Sequence, residues 1–134
     1  KRNEELCEKT YALLSKYSGE YCIESFNPFI VRWFKKNAPE VIRGQLANPP
    51  KDYNGEVGPL TAVILGNCLL NFLARPQFIA YKITPKPFTV KLCEALGAMK
   101  VAWTSHDWVN EKFYDAVIFE FYKPKLKYKK YRRI

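Results

Sequence analysis

The stretch YCIESFNP, residues 21–28, ends an apolar run on a carboxylate, Glu24, and then breaks into Ser25, Phe26, Asn27 and Pro28. A second run leaves in the same way: ESFNP at 24–28 and EFYKP at 120–124 both read acid, any residue, aromatic, any residue, proline, which sets Glu120 beside Glu24 as a candidate. A carboxylate at the end of an apolar run can act as acid, base or metal ligand. It can equally sit in an ion pair or a polar interior layer, and the repeated exit can equally be a common way of leaving a strand. Period-two alternation puts Cys22, Glu24 and Phe26 on one face. An unpaired buried carboxylate is costly, so a lysine, an arginine or backbone donors are expected to answer Glu24. Trp103 offers a ring that either stacks on a ligand or packs in the core. His106, the single histidine, lies beside Asp107 at a helix start and reads as an exposed residue. One histidine cannot be both the general acid and the general base of a two-histidine mechanism. Asp52, Asp107 and Asp115 do not form a spaced ligand set, and neither GxSxG nor a phosphate-binding glycine loop occurs. The chain by itself therefore lacks a catalytic constellation.

Several elements must position these residues. Leu6, Leu13, Leu14 and Tyr17 form a helical stripe, and Gly19 is its expected stop. A strand follows over YCIESF, and then Asn27 reads as N-cap and Pro28 as first residue of the helix PFIVRWFKKN. The pattern then repeats. Strands are predicted over VIRGQL (41–46), FIAYKI (78–83), KVAWTS (100–105) and AVIFEF (116–121). Between them come a helix opened by Pro59 and running to Leu73, a helix stopped by Gly97, and a helix SHDWVNEKF capped by Ser105. Such alternation argues for βαβ units and a parallel sheet with every strand's C-terminal end on one side. Ligands bind at that side in barrels and open sheets, and Ser25, Phe26, Lys82, Trp103 and Glu120 all fall there.

At 134 residues the chain is one domain, yet shorter than the roughly 250 residues of a complete α/β barrel. A hydrophobic content of 48% excludes disorder for most of its length. The net charge of +9 is mostly a tail: KLKYKKYRRI, 125–134, carries six basic groups and no acid, which leaves +3 for the rest. Such a tail suits an anionic lipid surface or a protein partner, which would make the chain a non-catalytic binding half-barrel, or stands as a solvated terminus. Nucleic acid is a weaker expectation, because no RNA- or DNA-reading fold is recognisable. Cys7, Cys22, Cys68 and Cys93 lack CxxC spacing and favour free thiols in the cytoplasm. With one histidine, a zinc site is not supported. The apolar run 60–74 is too short and too interrupted to span a bilayer. No signal peptide is visible, and Lys1 in place of Met suggests a piece of a longer protein.

The blocks ESFNP, PEVIRGQL, RPQFIAYKI, VAWT and YDAVIFEFYKP, in this order and spacing, resemble the C-terminal part of bacterial glycerophosphodiester phosphodiesterases over residues 1–124. The resemblance implies a partial TIM-type (β/α)8 barrel of about five C-terminal βα units, followed by the basic tail 125–134. It further implies hydrolysis of glycerophosphodiesters, such as glycerophosphocholine, to glycerol 3-phosphate and an alcohol, with calcium or magnesium in the complete enzyme. The family's H-R-G, E-x-D and E-x-K strands do not occur here. Both catalytic histidines and the principal metal carboxylates would then precede Lys1, and the chain alone would be inactive and bind no metal. What the resemblance carries over is Ser25 and Phe26 at the pocket mouth and Trp103 as apolar wall, with Glu24 and Glu120 nearby. Lys82 departs from it, since an acid is expected after that strand's Ala-Tyr. Five strands of eight leave two open edges and an open apolar interior. The expected remedies are the missing N-terminal strands, a second copy or a differently paired sheet.

Overall fold

The computed structural model describes residues 2–53 and 55–125. Residues 126–134, which hold most of the basic tail, lie outside them. Helix α1 (Arg2–Leu14) leads into β1 (Cys22–Ser25), α2 (Pro28–Asn37) and β2 (Ile42–Ala47). Then come α3 (Pro59–Gly66), α4 (Asn71–Ala74), β3 (Phe78–Lys82), α5 (Phe88–Ala95), β4 (Met99–Ser105) and β5 (Ala116–Phe119). The five strands pair in chain order, all parallel. They curl into a half-barrel with the helices outside, a partial α/β barrel, and β1 and β5 are its edges. No helix among the described residues is long and apolar enough to cross a membrane.

Alternation along the strands divides the core in two. On the helix side Ala47, Ile79 and Tyr81 pack with Val90 and Cys68, and farther along Cys7, Phe34, Ala38 and Val41 pack together. On the concave side Phe78, Ala80 and Val101 are buried among Ile42, Leu46, Met99, Trp103 and Ile118. Gly44 makes this second layer possible. A Cβ built on it would stand 2.0 Å from the Phe78 ring, which crosses above the bare backbone. Gly44→Ala is therefore expected to lower stability by about 1–3 kcal/mol through overpacking. Adding Phe78→Leu should restore part of the loss in urea titrations; equal midpoints for Gly44→Ala and the parent would remove the argument.

Local signals hold at several ends. The Asn27 side chain accepts the Phe29 amide at 2.9 Å with Pro28 opening α2, and Gly97, at φ 111°, closes α5. Other expectations are corrected. The stripe of α1 faces outward: Leu6, Leu13 and Tyr17 are exposed, while Cys7 is buried and Tyr11 meets Trp33 and Phe34 edge-on. Helix periodicity fixes which residues share a face, but not which face finds a neighbour. Nor does α1 reach Gly19; after Leu14 the chain leaves through tighter turns, Lys16 to Leu13 and Tyr17 to Leu14. The predicted helix 59–73 breaks at Cys68, whose φ of 51° is incompatible with a continuous helix. The helix assigned to SHDWVNEKF is a 3-10 turn, Trp108–Lys112, capped by Asp107 instead of Ser105. Its Asp107 carboxylate accepts the Val109 amide at 2.9 Å.

The helix-side core carries a pH dependence. Burial pushes the Cys68 thiol and the Tyr81 phenol both up to about 12, and the Tyr81 hydroxyl donates to the Gly66 carbonyl at 3.0 Å. Both groups stay protonated in the folded chain at pH values where the unfolded chain ionises them. Their stabilisation is complete below the unfolded pKa values, about 9 and 10, and is lost as pH rises toward 12. Denaturation free energy should fall from pH 9 upward by about 1.4 kcal/mol per pH unit per group, and more steeply past pH 10. Cys68→Ala should remove the part of the decline that begins near pH 9. An unchanged pH profile for that variant would refute the assignment.

Candidate functional site

The C-terminal ends of β3, β4 and β5 form the wall of a cleft of about 440 Å³, lined by Lys82, Trp103, Thr104, His106, Asn110 and Glu120 among others. Parallel pairing sets Lys82, Trp103 and Ile118 at one level of the sheet, so the side chains of neighbouring strands emerge together. Lys82 reaches across to the carboxylate of Asp52, which the 3-10 turn Pro50–Tyr53 holds after β2. Phe26 meets Trp103 edge-on with ring centroids 5.4 Å apart, which joins the mouth of β1 to this wall. The position of Phe26 is fixed from behind: the Gln45 side-chain amide donates to the carbonyls of Ser25 and Phe26 at 3.0 and 3.1 Å.

On the far side Glu120 and His106 approach within 3.2 Å, both well exposed. The sequence reading of His106 as exposed agrees with this, but it missed the pairing. Ser105 holds the two segments together. Fully buried, its hydroxyl lies within hydrogen-bond reach of the Asp107 carbonyl (2.9 Å), the Asn110 amide (3.0 Å) and the Tyr122 hydroxyl (3.1 Å). Since Glu120 also donates its backbone N–H to the Ser105 carbonyl at 2.9 Å, the loop after β4 and the segment after β5 are laced together.

The other candidates serve locally. The Ser25 hydroxyl accepts the Asn27 amide at 3.0 Å and so closes the turn into α2. Glu24 shares a level with Gly44, Phe78 and Met99 on the concave side. It makes no hydrogen bond or ion pair among the described residues, against the expectation of a partner. The reason is the open curled sheet, whose concave face leaves Glu24 exposed to water. Partial burial nevertheless raises its pKa above the usual carboxylate value.

This arrangement offers an ammonium, an imidazole and carboxylate pair and an aromatic wall at the ends of parallel strands. The Lys82 ammonium is already paired with Asp52, and the carboxylates of Asp107 and Glu120 share the lining. Among the described residues no three His, Cys, Asp or Glu converge, and His106 with Glu120 brings two such side chains together. Asn110 was not singled out in the sequence, Asp52 was weighed there only as a metal ligand and set aside, and Ser105 was read as a helix cap; the one available signal was that Asp52 follows a strand end, on the same side as Lys82. In comparisons with known proteins, no family model, curated protein or solved structure matches this chain.

Proposed function

We propose that this chain is the C-terminal half of a glycerophosphodiester phosphodiesterase barrel, inactive until strands bearing the acid, the base and the metal carboxylates close against β1 and β5. The observation that supports this most is the meeting of Phe26 with Trp103 at the strand ends. Blocks far apart in sequence thus build one wall. The two open strand edges support it as well, since natural sheets cover or pair such edges.

In the closed barrel a divalent ion, held by residues of the other half, would polarise the phosphoryl group. This chain's residues bind and orient. Trp103 and Phe26 exclude water from the apolar side of the glycerol or head group, and the Lys82 ammonium favours the phosphodiester charge while Asp52 restrains its reach. Ser25 shapes the mouth through its turn, and His106 with Glu120 lines the opposite rim.

The test is the reading frame that precedes Lys1 and the activity of its product. In-frame H-R-G and E-x-D strands, with metal-dependent release of glycerol 3-phosphate from glycerophosphocholine, are expected. Trp103→Ala in that product should reduce kcat/KM by about tenfold, the contribution of one aromatic wall. A frame without those strands, or hydrolysis by the 134 residues alone, would overturn the proposal.

A further inference from the structure

The rim beside β5 exposes an aromatic and aliphatic surface that the cleft does not use. Phe121 is 94% exposed and is held at φ 65°, a left-handed conformation that bulky residues rarely adopt. Trp108 and Val109, at the head of the 3-10 turn after β4, are exposed beside it. The two segments form one surface. The His106 ring lies 5.6 Å from the Phe121 ring, and the Lys125 backbone N–H donates to the Glu111 carboxylate at 3.2 Å. Above the Trp108 ring stand two ammonium groups, Lys125 at 4.4 Å and Lys112 at 4.8 Å.

Basic groups outnumber acids around it. Residues 121–134 contain seven basic groups and no acid. Three carboxylates lie nearby and keep their charge: Asp107 caps the turn, Glu111 accepts the Lys125 backbone N–H, and Glu120 approaches His106. We infer that this face docks on an anionic lipid bilayer, with Phe121, Trp108 and Val109 entering the headgroup boundary while Lys112, Lys123, Lys125 and the basic tail lie against lipid phosphates and carboxylates. Aromatic rings flanked by lysines match the water–lipid boundary, where ring and ammonium find apolar and charged surroundings within one side-chain length. Electrostatic attraction by a polybasic segment combined with shallow apolar insertion gives the two signals that stable peripheral binding requires. Aliphatic Val109, exposed next to Trp108, favours acyl chains over stacked bases. This surface stands apart from the phosphodiesterase reading, because it uses neither Trp103 nor the strand edges.

The experiment is co-sedimentation of the 134-residue chain with phosphatidylcholine vesicles, with and without about one third phosphatidylserine. Binding is expected to the anionic vesicles alone and to weaken with salt. Phe121→Ser with Trp108→Ser should reduce the partition coefficient by about tenfold, and neutralising Lys127, Lys129 and Lys130 by about a hundredfold. Phe121→Leu should keep nearly full binding, and circular dichroism of each variant checks that the fold persists. Absence of binding to anionic vesicles overturns the inference. So does loss of binding through the tail variants with none through the aromatic ones, which would make the contact purely electrostatic. Self-association that the aromatic variants abolish, or release from vesicles by a tighter-bound oligonucleotide, assigns the face to a second copy or to nucleic acid and overturns it equally.

Discussion

Gly66→Ala is expected to destabilise the protein by about 3 kcal/mol, at the upper end of overpacking costs. A Cβ at this last residue of α3 would stand 2.7 Å from Pro50 Cδ, 2.8 Å from the Asn48 carbonyl oxygen and 2.8 Å from the Pro50 nitrogen. These are backbone and ring atoms, not the mobile end of a side chain, so the clash cannot be relieved by a rotamer change. The loop would have to withdraw with the turn Pro50–Tyr53, which contains buried Tyr53 and the Asp52 partner of Lys82. It would also disturb the Gly66 carbonyl that accepts the Tyr81 hydroxyl. Urea denaturation should show a lower midpoint with little change in slope. Gly58→Ala is the control: a Cβ there meets nothing within 4 Å, and its φ of −62° suits any residue. Equal stability of the two variants would show that the loop does not approach α3 this closely.

A comparable loss is expected when the buried ion pair between Lys86 and Glu94 is broken from one side. The two side chains are 10% and 6% exposed, and the Lys86 ammonium also lies 4.9 Å from the Tyr114 ring centroid. Glu94→Ala leaves an ammonium in a poorly solvated site without its counter-charge, and a cost of about 3 kcal/mol follows. Replacing both partners, by Lys86→Met and Glu94→Leu, removes the uncompensated charge and should recover most of that loss. The exposed pair Lys9–Glu5, at 72% and 64%, supplies the contrast. Glu5→Ala should change stability by no more than about 0.5 kcal/mol, since water already screens it. A double-mutant cycle at 86 and 94 with no recovery in the double variant would argue against a desolvated pair.

The sequence by itself determined the alternation of strands with helices and the parallel character of the sheet. Apolar runs rich in β-branched and aromatic residues alternate with helical segments, and right-handed crossovers leave little freedom in joining them. Asn27 with Pro28, and Gly97, marked their helix ends because capping and left-handed backbone are local requirements. The side of the sheet where Trp103, Phe26 and Lys82 emerge followed from that topology.

Tertiary structure decided which of these residues meet. Lys82 and Asp52 are thirty residues apart and His106 and Glu120 fourteen, distances at which no local pattern constrains a pairing. The outward turn of the Leu6, Leu13 and Tyr17 stripe, the break at Cys68 and the burial of Ser105 likewise depended on neighbours. Glu24 shows the reason most plainly. Alternation grouped it with Cys22 and Phe26 and left open whether that face meets the interior or a helix; the five-stranded sheet of the described residues turns it to the concave side, where water reaches it. Periodicity assigns residues to faces, whereas the energetic meaning of a face is fixed by what, if anything, packs against it.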